Sequence, residues 1–309
     1  MKNMVQYTLL PNCTGDCDFC LRDERFFLTK GQILENIELI KKNISLIDWK
    51  DQFQYGISLL GGEIYYMRDT DYQEAFLDLI DTIIEKVLKV SDNPECKYSS
   101  VTNGMYDPEF LFKVIDRIVE KVGIQKVDLN FSFDLKYRFK NKEQQQVVLN
   151  NINAFHNRYN YKVGVQMILT QYLIDMWKKG RFKTSEFVEQ NIPGNMLCYL
   201  YPHPIRTGKE LPDFFFKRKD FLDFILALKI DSPSTYSSFL QSTKNSAIFK
   251  YTGLIHKNTR HDYKEMPILS DGKEIINEKC GHSVLYKCYS DCDKCMMCDL
   301  KQLDRDEYL

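Results

Sequence analysis

The chain has 309 residues, 42 Lys and Arg against 43 Asp and Glu, and is 44% hydrophobic. That length buries one large core with a smaller appendage, while a formal charge of −1 supplies no field for nucleic acid or an anionic membrane surface, so neither is expected as a partner. No apolar run approaches transmembrane length and no secretory h-region opens the chain, so the expected compartment is the cytoplasm, where ten cysteines point to metal sites or reduced thiols over disulfides.

Residues 5–10 read as a first strand that runs into Pro11-Asn12-Cys13-Thr14-Gly15-Asp16-Cys17-Asp18-Phe19-Cys20. Three thiolates spaced C-x3-C-x2-C fall one short of the four that close a [4Fe–4S] cluster, leaving one iron for a small-molecule chelator. The extra residue between Cys13 and Cys17, with Gly15 able to take a positive φ, suits a loop around a cube better than one around a tetrahedral ion. The competing readings are a zinc knuckle or three unrelated buried thiols.

Strands and helices alternate beyond this loop. Ile33, Ile37, Ile40 and Ile44 recur at helical spacing over residues 31–43. A short apolar strand at 55–60 ends in Gly61-Gly62-Glu63, and Phe76, Leu77, Ile80, Ile83, Ile84 and Val87 mark the next helix. A strand at 98–102 stops at Asn103-Gly104, and a stripe from Phe110 to Val119 follows. In residues 127–134, Val127, Leu129, Phe131 and Phe133 alternate strictly with Asp128, Asn130, Ser132 and Asp134, so one face meets helices and the other something polar. Residues 144–155, 172–179 and 218–229 read as helices, 162–170 and 195–201 as strands. Six strands alternating with helices indicate an α/β fold with a parallel sheet, and fewer than eight units suggest an open or partial barrel.

Cys13-x3-Cys17-x-Phe19-Cys20 resembles the signature of the radical S-adenosylmethionine superfamily, with Phe19 where that family places an aromatic beside the adenine. The resemblance implies a partial (β/α)6 TIM-type barrel over residues 1–230, with a small Cys-rich extension over 231–309. It also implies a [4Fe–4S] cluster on Cys13, Cys17 and Cys20, and S-adenosyl-L-methionine chelating the open iron. An electron from a donor such as flavodoxin or ferredoxin then generates a 5′-deoxyadenosyl radical, the cofactor carrying the chemistry. Three further stretches resemble the family at successive strand ends. Gly61-Gly62-Glu63 stands where relatives contact the cofactor amino group, Thr102-Asn103-Gly104 matches a recurrent feature, and Ser132-Phe133-Asp134 places Ser132 within reach of ribose or carboxylate. Arg138 stands where an arginine pairs with the cofactor carboxylate, a geometry its guanidinium fits. Alone, the glycine pairs are also ordinary turns, and Arg138 a solvated residue among lysines.

A second group, Cys280, Cys288, Cys292, Cys295 and Cys298, packs five thiols into nineteen residues and reads as a second metal site. Cys292-x2-Cys295-x2-Cys298 with Cys288 or Cys280 copies a ferredoxin-like run and fits a second [4Fe–4S] cluster; Cys288, Cys292, Cys295 and Cys298 equally make a four-thiolate zinc site. The position resembles the twitch or SPASM extensions, from whose spacing it departs. Cys96 reads as incidental and Cys198 as a small core residue.

Weaker candidates address the substrate. Gln166 and Thr170 share a strand face with Gly164 and are expected to line the barrel interior, and Tyr199, alternating with Cys198 and Leu200 on the sixth strand, is a further substrate candidate. His203 and Arg206 lie on a loop at a strand's C-terminal end, where barrels place sites. Asp134 and Asp231 are carboxylates able to accept from ligand N–H groups, although Asp231 also suits a helix cap. A start at the first strand, without a module for a leader peptide, and the lack of a basic aromatic groove favour a small-molecule substrate. Length, start and tail are similar to the queuine lyases, which implies C–N cleavage releasing 7-aminomethyl-7-deazaguanine. The alternative is a peptide-modifying enzyme of the same superfamily.

Overall fold

A computed structural model describes residues 3–13, 15, 17, 27–50, 54–200, 213, 216–244 and 248–251. Phe19, Cys20, His203, Arg206 and the five C-terminal cysteines lie outside these residues. The strands are β1 (Asn3–Leu10), β2 (Gln54–Gly61), β3 (Lys97–Thr102), β4 (Val127–Phe133), β5 (Gly164–Ile168), β6 (Met196–Leu200) and β7 (Ile248–Tyr251). The helices are α1 (Lys30–Ile44), α2 (Thr70–Ile83), α3 (Glu109–Val122), α4 (Lys142–Tyr159), α5 (Gln171–Lys178), α6 (Thr184–Asn191), α7 (Arg218–Asp231) and α8 (Pro233–Lys244).

Every strand pair is parallel, in the spatial order β6-β5-β4-β3-β2-β1-β7. The first six strands therefore lie in chain order and every step across the sheet goes the same way. Right-handed crossovers then place the connecting helices on one face, as in a barrel and unlike a doubly wound sheet. β7 lies outside β1, where a closing strand would go, but among the described residues it has no pairing with β6. The expected α/β parallel architecture is thus present, with one strand more than the sequence pattern disclosed.

Register assigns the two faces. Val127, Leu129, Phe131 and Phe133 are buried and alternate with half-buried Asp128, Asn130 and Ser132. Their apolar face continues into Tyr98, Val165, Met167, Leu197 and Tyr199, all buried. It meets the helical stripes, including Ile33, Ile37, Ile40 and Ile44 of α1 and Phe110, Leu111, Val114, Ile115 and Ile118 of α3. Each fully buried side chain of this size contributes about 1.5–3 kcal/mol relative to exposure, against the entropy of ordering it. The opposite face carries Ser132, Gln166 and Cys198 in one lateral row and Gln6, Ser58, Ser99 and Asp128 in another.

Local chemistry sets several helix ends. Thr29 and Gln32 form a reciprocal capping box at α1, and Asp69, Asn141 and Thr170 cap α2, α4 and α5. α3 ends at Gly123 with φ 87° and α4 at Asn160 in the left-handed region. No helix among the described residues is long and apolar enough to cross a membrane.

Candidate active site

The cysteine loop leaves the C-terminal end of β1, and its base is held on three sides. From α1, the Asn36 amide donates to the carbonyls of Thr8 and Leu9 at 3.1 and 2.6 Å. The Asn12 side chain closes the neck, donating to Leu28 O at 3.0 Å and accepting from Leu28 N at 2.9 Å. From β2, Gly62 N donates to Leu10 O at 2.8 Å and Glu63 N to Asn12 O at 2.9 Å. This approach explains the two glycines: a Cβ on Gly61 would be driven into the Leu10 carbonyl, and one on Gly62 into the carbonyls of Pro11 and Asn12. The contact that the glycine pair was expected to make with a ligand is made here with the cysteine loop itself.

Glu63 turns inward and is 1% exposed. One carboxylate oxygen accepts from Asn103 N at 2.6 Å and the Thr102 hydroxyl at 2.9 Å, and the other from Tyr65 N at 3.2 Å. The single Thr102 proton goes to Glu63, so the Tyr106 hydroxyl at 2.6 Å and Gly104 N at 3.1 Å both donate to Thr102 Oγ1. Tyr65 and Tyr98 meet through their hydroxyls at 2.8 Å. Burial pushes Glu63 up to about 7, outweighing the three donors and the Arg138 charge, which favour the ionised form. The carboxylate thus ties the end of β2 to the end of β3.

Three N–H groups converge on the two described loop sulfurs. Gly15 N reaches Cys13 Sγ at 3.2 Å, Asn103 Nδ2 reaches the same sulfur at 3.4 Å, and Arg138 Nη1 reaches Cys17 Sγ at 3.7 Å. Both cysteines are half-buried. Among the described residues no three His, Cys, Asp or Glu side chains gather at metal-binding distance. Donors aimed at half-buried sulfurs stabilise the thiolate form that a soft metal or cluster needs, so this donor set fits such a group. A Cβ on Gly15 would press on the Met105 side chain at 3.0 Å, so space is a constraint there. Gly104 takes a left-handed turn, with φ 64°, and Asn151 of α4 fixes that turn by donating to the carbonyls of Gly104 and Tyr106, each at 2.8 Å.

The structure therefore brings together Cys13, Cys17, Gly61, Gly62, Glu63, Asn103 and Arg138. Ser132 and Gln166 face the polar side of the sheet as register neighbours, both half-buried. Other candidates are employed elsewhere. Tyr199, a substrate candidate from the sequence, lies on the helix-covered face, fully buried, its hydroxyl 3.0 Å from Thr184 Oγ1, and so does not share the polar face of Ser132 and Gln166. Asp134 is 3% exposed and accepts from Lys136 N and Tyr137 N at 2.7 and 2.6 Å, forming an Asx turn that leads Arg138 back toward the loop. Asp231 accepts from Ser185 Oγ at 2.6 Å and Ser185 N at 3.1 Å, so it caps α6 and not the helix that follows it. Thr170 caps α5. Cys198 is half-buried on the polar face, 3.1 Å from Ser238 Oγ, and not a core residue. Asn12, Asn36 and Asn151 escaped the sequence reading; an asparagine at a strand end or on a buried helix stripe was the available signal.

No protein-family model matches the chain, and no curated protein does. Among solved structures, SuiB from Streptococcus suis bound to S-adenosylmethionine aligns with a TM-score of 0.44 and 13% identity, over 81% of this chain and 50% of SuiB. A second SuiB structure gives 0.43 and 13%, over 90% and 54%. The chain spans about half the length of these matched structures.

Proposed function

We propose that the chain is a radical S-adenosylmethionine enzyme acting in the cytoplasm on a small molecule. The observation that carries this reading is the gathering of Cys13, Cys17, Asn103 and Arg138 at the ends of β1, β3 and β4, where the C-x3-C-x2-C loop begins. When bound, a [4Fe–4S] cluster with S-adenosylmethionine supplies one electron to the sulfonium and yields a carbon radical able to abstract hydrogen from a substrate.

In this reading Cys13 and Cys17, with Cys20, hold the cluster. Gly15, Asn103 and Arg138 set the electrostatics of two of those sulfurs. Arg138 also offers its guanidinium to a carboxylate entering at the rim. Glu63, its carboxyl raised by burial to about 7, sets a carboxyl group beside the Gly61–Gly62 turn where a cationic amino group would favour its ionised form, and buried Tyr65 and Tyr98 with half-buried Tyr106 shield it from water. The reductant is a small donor of the flavodoxin or ferredoxin kind.

The substrate chamber is the polar face. Ser132 and Gln166 offer donors and acceptors there, and deeper in, Asp128 accepts from Ser99 Oγ at 3.2 Å and Asn130 Nδ2 at 3.3 Å. With Asp134 and Asp231 committed to turns and caps, Asp128 is the carboxylate of this face among the described strand residues. The finer proposal, C–N cleavage of queuine by a lyase, rests on the sequence resemblance alone, as does the second metal site at Cys280 to Cys298.

Iron, sulfide and zinc per chain, measured after anaerobic reconstitution of the wild type and of a Cys13/Cys17/Cys20→Ala variant, test the reading. About four irons lost in the variant, with zinc retained in both, supports one radical cluster and a structural tail. Eight falling to four makes the tail a second cluster. Iron unchanged by the substitutions removes the proposal.

A further inference from the structure

The Asn103 side chain is fixed in a single orientation by its neighbours. Its Oδ1 accepts from Met105 N at 2.8 Å, which assigns the amide and leaves Nδ2 as the group 3.4 Å from Cys13 Sγ. Its own backbone N–H is held by Glu63 at 2.6 Å. The next residue, Gly104, sits in the left-handed region and is clamped by Asn151. Rotating the amide away from the sulfur would break the Met105 bond and turn a carbonyl oxygen onto Cys13. Gly15 N reaches the same sulfur at 3.2 Å. A turn built with this much redundancy around one 6% exposed residue delivers a single product: an N–H aimed at a ligand sulfur.

We propose that Asn103 is a positioning residue that sets the reduction potential of the cluster held by Cys13, acting through the N–H···S bond, with Glu63 and Met105 N holding the amide in place; the inference rests on the function proposed above. Reduction adds a negative charge that is partly shared by the ligand sulfurs. A fixed N–H dipole pointing at one of them stabilises the reduced form over the oxidised form, and hydrogen bonds to sulfur are among the recognised determinants of such potentials. An amide held by the fold costs no reorganisation when the charge arrives.

The test is a redox titration followed by electron paramagnetic resonance, on the full chain reconstituted without oxygen, comparing wild type, Asn103→Ala and Asn103→Asp. The alanine keeps the backbone bond to Glu63 and loses only the amide. The aspartate keeps an acceptor for Met105 N and replaces the donor with an oxygen. At a fixed poise, Asn103→Ala is expected to show about tenfold less reduced cluster, a 59 mV fall for a one-electron couple, at unchanged iron content. Asn103→Asp is expected to fall further or to lose iron. Equal potentials in wild type and Asn103→Ala at equal iron content overturn the inference while leaving the radical reading intact. A wild type that binds no iron overturns both. Circular dichroism on each variant separates these outcomes from misfolding, and should Asn103→Ala fail to fold, the uncharged Asn103→Ser, whose shorter side chain still offers an acceptor to Met105 N, carries the same comparison.

Discussion

Replacing Glu63 by glutamine removes the one carboxylate that binds the ends of β2 and β3 and tests the electrostatics of the site directly. Burial raises its folded-state value from the ordinary 4.5 to about 7, a difference worth about 3 kcal/mol between the two protonation states. Because the folded value lies above the unfolded one, the contribution to stability is fully present below pH 4.5 and is lost as the pH rises through 7. Wild type should therefore lose about 3 kcal/mol relative to Glu63→Gln between pH 4.5 and pH 8. Every other titrating group, Arg138 and the surrounding tyrosines included, is common to both proteins and cancels in the difference. Urea unfolding of the metal-free chain across that range, analysed as midpoint times slope, gives the two curves. Parallel curves would refute the assignment and mean that the three donors, not burial, decide the charge on Glu63.

Other substitutions probe the loop and the corrected residues. Asn12→Ala removes both bonds to Leu28 and is expected to cost about 2 kcal/mol in urea unfolding; Asn12→Asp keeps the acceptor for Leu28 N but sets a carboxylate oxygen against Leu28 O, so it should recover none of that loss at neutral pH. Gly62→Ala places a methyl against two backbone carbonyls that cannot swing aside, so the glycine turn must leave the loop base. The expected outcome is a destabilised chain that retains little iron after reconstitution, read by iron assay and thermal melting. Tyr199→Phe breaks the bond to Thr184 at a cost of about 1 kcal/mol with no effect on substrate affinity. A raised KM at unchanged stability would place Tyr199 in the chamber.

The strands were legible because their physics is local. In β4 the period of two is complete, in β1 and β2 a largely apolar run ends at a loop or turn, and β3 stops at the Asn103-Gly104 turn. Strong stripes such as Phe110 to Ile118 made the long helices equally plain. α6 was missed because it is eight residues long with only Thr184 buried. It owes its capping to Asp231, 46 residues away, which no local pattern could disclose. β7 was missed because four residues fall below any periodic signal, and its place beside β1 is a tertiary fact. In the site, residue types were readable but their duties were not. Gly61 and Gly62 belonged where expected, yet their partner is the backbone of residues 10–12. Asp134 carried the right chemistry for a ligand, yet two backbone N–H groups two and three residues ahead claim it. A sequence shows which side chains can make a bond; the competition between ligand and backbone for that bond is settled only once the chain has folded.

The central claim is tested most directly by reducing the reconstituted protein with dithionite in the presence of S-adenosylmethionine and quantifying 5′-deoxyadenosine. The account predicts that wild type forms it and that the Cys13/Cys17/Cys20→Ala variant, folded to the same circular dichroism, forms none. Equal formation by both proteins, or none by a wild type carrying about four irons, would contradict it.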